Sequence, residues 1–411
     1  MKQIQTFTST YTADVSGVPS ALYELGGMTI MHDASGCNST YNTHDEPRYY
    51  DSKSMVFISA LTEVEAIMGD DQKLVDDIVK AAKNLKPRFI ALAGTPIPMI
   101  TGFDIKANAN VIEAETGIPT LGINTNGMHS YVEGAGEALF QYGKRFIKND
   151  VKRIENGINV LGATPIDFSI NGQIESIEKF LTDSGFNFIS NFALNCDVSA
   201  MENAATASVN LVISSVGIKL AEYLLEKYSI PYVVGVPYGN KLKFDIVNAL
   251  HSAITYLDKN EMEKFEPIFA TDFYNDANQN SKVGHSTKNN FEKVNIYIIG
   301  ESITSKSLAK YIFYKYNFAP KVISAVELGN TFHGEIVKNM KVRKNVALEN
   351  GDLFIEDEDE IRNALKNADM LIADPLYRPI VPEKTIFVSN PHEGFSGRLY
   401  RKQMQNLIDI L

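Results

Sequence analysis

Residues 28–37, Met-Thr-Ile-Met-His-Asp-Ala-Ser-Gly-Cys, carry a short apolar stretch into a turn of small residues. A buried strand that stops at such a turn presents Cys37, one of two cysteines in 411 residues, where backbone N–H groups converge. Converging donors favour the thiolate, the form that binds iron or takes part in redox steps. One thiol does not hold an iron–sulfur cluster, which takes about four protein ligands. Cys37 is therefore either a ligand shared with another chain or an ordinary small core residue.

The same strand–turn–helix rhythm repeats outward from this stretch. Short apolar, β-branched runs at 28–32, 55–59, 89–93, 120–123, 158–161, 211–214, 232–234, 295–299, 321–324, 370–373 and 385–388 predict strands. Between them, apolar spacing of three and four predicts helices, among them 71–85, 174–184, 217–228, 305–316 and 358–367. Alternation of this kind predicts α/β architecture with doubly wound parallel sheets. Three blocks follow, at residues 1–150, 151–270 and 292–411, with the Asn-, Ser- and Lys-rich stretch 271–291 read as a linker or exposed loop. The second and third blocks open on INVLG, ending at Gly162, and IYIIG, ending at Gly300. Ligands of open α/β sheets bind at such strand ends.

Composition excludes several classes. The formal net charge of −11 and the absence of a basic stripe argue against nucleic-acid binding. Two cysteines exclude a disulfide framework. No apolar run reaches the roughly 18 residues of a membrane span, and the N-terminal stretch lacks a signal-peptide core, so a cytoplasmic protein is expected. No GxGxxG fingerprint supports NAD, and no GxxxxGK[ST] loop supports ATP binding by this chain. No HExxH or paired CxxC points to a self-contained zinc site.

Several segments are family-specific in their order. His32-Asp33-Ala34-Ser35-Gly36-Cys37 resembles the His-Gly-Pro-x-Gly-Cys turn of nitrogenase component 1 and its relatives. ISALTEVEAIMGDDQKL (58–74), AGTPIPMITGFD (93–104), the Gly117–Gly136 stretch, ASVNLVISSVGIKLAEYLLEKYSIPY (207–232), residues 369–375 and NPHEGFSGRLY (390–400) continue the likeness over nearly the whole chain. That superfamily includes molybdenum–iron protein subunits, their cofactor-assembly homologues and the catalytic subunits of dark-operative protochlorophyllide and chlorin reductases.

The resemblance implies three Rossmann-like domains around a central cleft, in a homodimer or in a heterodimer with a homologous subunit. It implies electrons delivered by an ATP-dependent iron–sulfur protein and relayed through an interface cluster, of [4Fe-4S] type, to a substrate or cofactor in the cleft. Of the three cysteines that commonly bind that cluster, one falls near Tyr11, one is Cys37 and one falls on Thr95, so two are missing. The cysteine that anchors the active-site metallocluster falls near 213–214 and is also missing, so dinitrogen reduction is not expected. Cys37, with Gly36, His32, Asp33, Tyr11 and Thr95 around it, forms the candidate cluster site, and Cys37 its metal ligand. The alternatives are a metallocluster assembly scaffold or carrier, and a cluster-less ligand-binding member.

Each residue also has a plainer reading. His32 suits a strand-end histidine with a backbone partner. The 44–50 segment reads as a surface loop, and Glu63 and Glu65 as helix-start carboxylates favoured by the dipole. EDEDE (356–360) reads as a solvated helix start, and Cys196 as structural. His129, at a strand's carboxyl end, and His392 with Arg398 are candidates for a cleft that takes an anionic group, which Arg forks suit.

Overall fold

The computed structural model describes residues 5–34, 36, 46–149, 151–259, 261–270, 294–326 and 352–411. Cys37 and the 271–291 stretch lie outside them.

Three parallel sheets organise the described chain, as expected for doubly wound α/β architecture. The first has the order β2 (Met55–Ile58), β1 (Met28–His32), β3 (Ile90–Gly94), β4 (Thr120–Ile123). The second runs β6 (Asn187–Asn191), β5 (Gly157–Leu161), β7 (Val209–Val212), β8 (Tyr232–Val234), β9 (Ile268–Phe269). The third runs β12 (Leu353–Phe354), β11 (Lys321–Ser324), β10 (Ile296–Gly300), β13 (Met370–Ala373), β14 (Ile386–Ser389). In each, the first strand sits inside the sheet and the chain then winds outward in both directions. This creates a switch point at β1/β3, β5/β7 and β10/β13, where a crevice opens beyond the strand ends. Strands β1, β3, β5, β7 and β10 are buried along their whole length, as strands covered on both faces must be.

One apolar core is shared by all three sheets, the third contributing Ile298, Val322 and Ile372 from one of its faces. Helix Asp14–Leu22 is buried at every position. It packs backbone to backbone on helix Tyr131–Phe146: a Cβ on Gly134 would lie 1.8 Å from the Asp14 carbonyl oxygen, and one on Gly17 2.4 Å from that of Tyr131. Only glycine permits that approach. A second core lies on the outer face of the first sheet, under helix Asp71–Leu85, and a third on one face of the third sheet.

Two surface readings are corrected here. The described part of the 44–50 segment is no surface loop at its start, because Glu46 and Arg48 are buried. The EDEDE run is not wholly solvated either: the Glu358 carboxylate is buried and accepts backbone N–H bonds from Thr6, Phe7 and Thr8 at 2.8–3.0 Å through Oε2. It fastens the N-terminal segment to the third sheet's unit. Burial by itself would raise this carboxyl, but the three N–H donors prevail and hold it at about 2. A group depressed below its unfolded value stabilises the fold above the unfolded pKa, and that contribution is lost as pH falls through the folded one. Glu358→Gln is therefore expected to lower stability at pH 7. It should also flatten the loss of stability between about pH 4.5 and pH 2 relative to the parent, as read by urea midpoints across that range. Parallel pH profiles for the two proteins would contradict the clasp.

Candidate functional site

The segments that leave two of the three switch points meet in one polar cluster. After β5, Gly162 takes a positive φ of 90° and the chain enters the short helix Pro165–Phe168, which carries Asp167. After β7, Ser214 and Ser215 open a turn. After β10, Glu301 caps helix Ser302–Tyr316, and after β13, Asp374 caps the turn Pro375–Ile380. Carboxylates belong at helix starts, where N–H groups lack intrahelical partners.

Glu301 joins the second and third sheets' units. Its Oε1 accepts from Ser215 N (3.0 Å), Ser215 Oγ (2.5 Å) and Ile303 N (3.1 Å), and its Oε2 from Thr304 N (2.9 Å) and Thr304 Oγ1 (3.0 Å). Burial, then the charge of Asp167, raises this carboxyl, while those donors pull it down; the net direction is upward.

Asp167 gathers two further elements and its own helix cap. Its Oδ1 accepts from the Tyr131 hydroxyl (2.5 Å), at the start of the helix after β4, and lies 3.3 Å from His392 Nε2, beyond β14. Its Oδ2 accepts from Thr164 Oγ1 (3.0 Å). His392 Nδ1 accepts the Gly394 N–H (3.1 Å), so the neutral ring carries its proton on Nε2 and donates it to Asp167. The His392 N–H donates to Asp374 Oδ2 (2.8 Å), which locks the backbone. Burial opposes a charge on His392, but Asp167 in contact, with Asp374 and Glu301 nearby, outweighs it and holds the imidazole above its ordinary value. Burial, then Asp167 and Glu301, pushes the Tyr131 phenol well up, so it stays a donor.

A cavity of about 340 Å³ opens beside this cluster, lined among others by Asp167, Gln173, Tyr238, Thr304, Asn390 and His392. A second, of about 350 Å³, lies across the short helix Glu393–Ser396 and is lined by Ser9, Thr10, Glu393 and Arg398. His392 and Arg398 thus line different cavities, and Arg398 stands exposed in the turn Gly397–Leu399. His129 lies beside Asp14, whose N–H donates to the His129 carbonyl (2.9 Å).

The residues grouped around Cys37 separate into two sets. At the first switch point, His32 is buried, with Nδ1 2.8 Å from Ser59 Oγ and its ring on Phe103 (4.4 Å). Burial takes its imidazole down to about 4, against the pull of Asp71 and Glu65, so it stays neutral. The Asp33 N–H donates to Ser59 Oγ (3.0 Å), and the Thr95 hydroxyl donates to the His32 carbonyl (2.9 Å). Gly36 is exposed. Tyr11 belongs to the other set: its ring packs on Phe395 (4.7 Å), His392 (5.6 Å) and Tyr131 (6.5 Å), and its phenol is hydrogen-bonded to Tyr377. Burial, then Tyr377 and Asp374, raises that phenol well above its ordinary value. The Cys196 thiol is pushed up to about 12, first by burial and then by Glu24, and is no nucleophile.

Asp167, Tyr131 and Glu301 were not singled out by sequence reading. The signal was present, since Glu301 directly follows the IYIIG strand and Asp167 comes shortly after INVLG. Which strand ends face one another is a tertiary fact that spacing does not carry.

A family model for nitrogenase component 1 type oxidoreductases matches residues 25–374. The chain is 25% identical over 259 residues to the nitrogenase iron-molybdenum cofactor biosynthesis protein NifE of Methanosarcina barkeri, covering 59% of this chain and 54% of that protein. It is 24% identical over 182 residues to one of the subunits of the light-independent protochlorophyllide reductase of Nostoc punctiforme, covering 42% and 36%. The chain spans about half the length, or less, of the curated relatives it matches. Among solved structures, "Nitrogenase Cp1 at pH 5" shares the fold with a TM-score of 0.63 at 16% identity, over 100% of this chain and 88% of that one. The order of motifs along the sequence, the three parallel sheets and a family match over most of the chain agree, and the chain belongs to the nitrogenase component 1 type oxidoreductases.

Proposed function

We propose that this chain is a component 1-type oxidoreductase subunit that holds a substrate or cofactor in the cavity between its second and third sheets, with His392 moving a proton there. The observation that carries this reading is that Asp167 and His392, from separate elements, meet on one cavity wall, with the Tyr131 hydroxyl of a third element holding Asp167 from behind. Asp167 and the Gly394 N–H together fix ring orientation and tautomer, the positioning that proton transfer needs. In this reading electrons come from a separate ATP-dependent iron–sulfur reductase, and the chain pairs with a second copy or a homologous subunit.

The described residues of one chain do not fit a cluster held by that chain alone. The Thr95 hydroxyl is committed to the His32 carbonyl and the Tyr11 phenol to Tyr377. Among the described residues no group of three or more His, Cys, Asp or Glu side chains is placed to hold a metal ion. No step is therefore assigned to a cluster. Cys37 is proposed as this chain's contribution to a [4Fe-4S] cluster shared with a second chain, which supplies the other ligands. The commitments of Thr95 and Tyr11 favour a second reading, a carrier that passes a metallocluster on.

Anaerobic purification with iron and sulfide analysis tests both. A brown assembly that loses iron in Cys37→Ala is expected, and an iron-free, colourless assembly would contradict the shared cluster. Handing that iron on to a metal-free acceptor during assembly would select the carrier reading.

A further inference from the structure

The first sheet leaves an aromatic ring half uncovered on its outer face. Helix Asp71–Leu85 packs over β1 and β3, where Met28, Ile30, Ile90 and Leu92 are buried with Leu74 and Ile78. Strand β2 lies at the sheet edge, and its Phe57 pairs in register with Ile30. Paired residues of neighbouring strands point to one face. Ile30 is nevertheless 4% exposed and Phe57 42%. Between β2 and the helix opens a cavity of about 230 Å³, with Met28, Ile30, Phe57, Leu74, Ile78 and Ala81 in its lining. Leu74, Ile78 and Ala81 follow at spacings of four and three, so one helical stripe forms a wall, and the small Ala81 leaves room there.

The polar groups of the lining are engaged with one another. His32 Nδ1 and Ser59 Oγ are joined (2.8 Å), and burial keeps the imidazole neutral. Lys73 is held by Glu65 (3.0 Å) and Asp77 (3.5 Å), and Asp70 caps the helix by accepting the Lys73 N–H (3.3 Å). A charged ligand would give up hydration to apolar walls and meet charges that already have partners. An uncharged ring has no such loss and covers Phe57. An apolar cavity of about 150 Å³ takes benzene, so this one has room for a substituted ring or a fused pair. A helix, about 10 Å across, does not enter such a space.

We propose that this cavity is a second binding site, which takes an uncharged aromatic molecule of one or two rings packed on Phe57. It lies on the outer face of the first sheet, and the inference does not depend on the reading given to the His392 cavity.

Methyl NMR on the full chain tests this, with indole as the probe and benzoate and benzylamine as charged ring compounds. Indole is expected to bind with a Kd on the order of 1 mM or tighter and to shift the methyl signals of Ile30, Leu74 and Ile78. Ala81→Leu fills the space from the same stripe. It should weaken indole at least about tenfold while leaving the urea midpoint unchanged or higher. Phe57→Ala is the independent arm should the leucine disturb the helix, and it should weaken indole about threefold to tenfold by removing the stacking partner. Both charged compounds should bind at least about tenfold more weakly than indole. Indole that shifts none of these methyls at millimolar concentration would overturn the inference. So would binding unchanged in both variants, or benzoate or benzylamine binding as tightly as indole.

Discussion

Arg48→Met is expected to destabilise the protein by about 3–5 kcal/mol, the range for removing one partner of a buried ion pair. Arg48 is 4% exposed, and its Nε lies 2.6 Å from Glu46 Oε1, while one terminal nitrogen reaches Glu24 Oε1 (2.8 Å) and the Ala193 carbonyl (2.8 Å). The other donates to the Ser20 carbonyl (2.7 Å), and the guanidinium lies 4.7 Å from the centre of the Tyr23 ring. The side chain therefore ties the chain at 46–48 to helix Asp14–Leu22 and to the loop after β6 of the second sheet. Methionine fills part of the volume but leaves the Glu46 charge buried, where its second oxygen already lacks a partner. The shift in urea midpoint, at unchanged slope, measures the loss. A change below about 1 kcal/mol, the size typical of an exposed pair, would show that the network is solvated.

Glu301→Ala is expected to cost about 3 kcal/mol, from a lost helix cap and from donors on Ser215 and Thr304 left without an acceptor. The loss falls on the junction between the second and third sheets' units, because Ser215 and Glu301 belong to different sheets. Hydrogen exchange should accordingly rise at 302–304 and 214–216 before it rises in the strands. Glu301→Gln should recover part of the loss, since its carbonyl oxygen still accepts from Ser215 while its NH₂ has no lone pair for Thr304. Equal stability of the parent and the alanine protein would remove Glu301 as a joint.

Much of this fold is readable from the chain because parallel strands covered on both faces must be apolar throughout. The expected bounds 28–32, 120–123, 232–234, 321–324 and 370–373 coincide with β1, β4, β8, β11 and β13. The strands missed are β6, β9 and β12, all on the outer side of their sheets. β6 reads Asn-Phe-Ile-Ser-Asn, and β9 and β12 pair over two residues each, too short to show a pattern. β7 runs 209–212 rather than the expected 211–214, and it ends early because Ser214 belongs to the turn, where its Oγ accepts the Val216 N–H (3.3 Å). The acidic residues of the central cluster were in view just past strand ends, but nothing local tells Asp167 that His392 stands beside it, 225 positions away. Glu358 and Arg48 were misread for the same reason: a charged residue looks solvated until the partner that buries it is known.

Selective ¹⁵N labelling of histidine and titration of His392 is the measurement closest to the central claim, that Asp167 holds this ring ready to carry a proton in the cavity. The account predicts a neutral form with the proton on Nε2 and a midpoint above the ordinary value. A group raised in this way stabilises the fold below the unfolded pKa of about 6.5 and loses that contribution as pH rises through the folded value. Asp167→Asn should bring the midpoint down and shrink that pH dependence. A ring that titrates like exposed histidine, with the same midpoint in Asp167→Asn, would contradict the account.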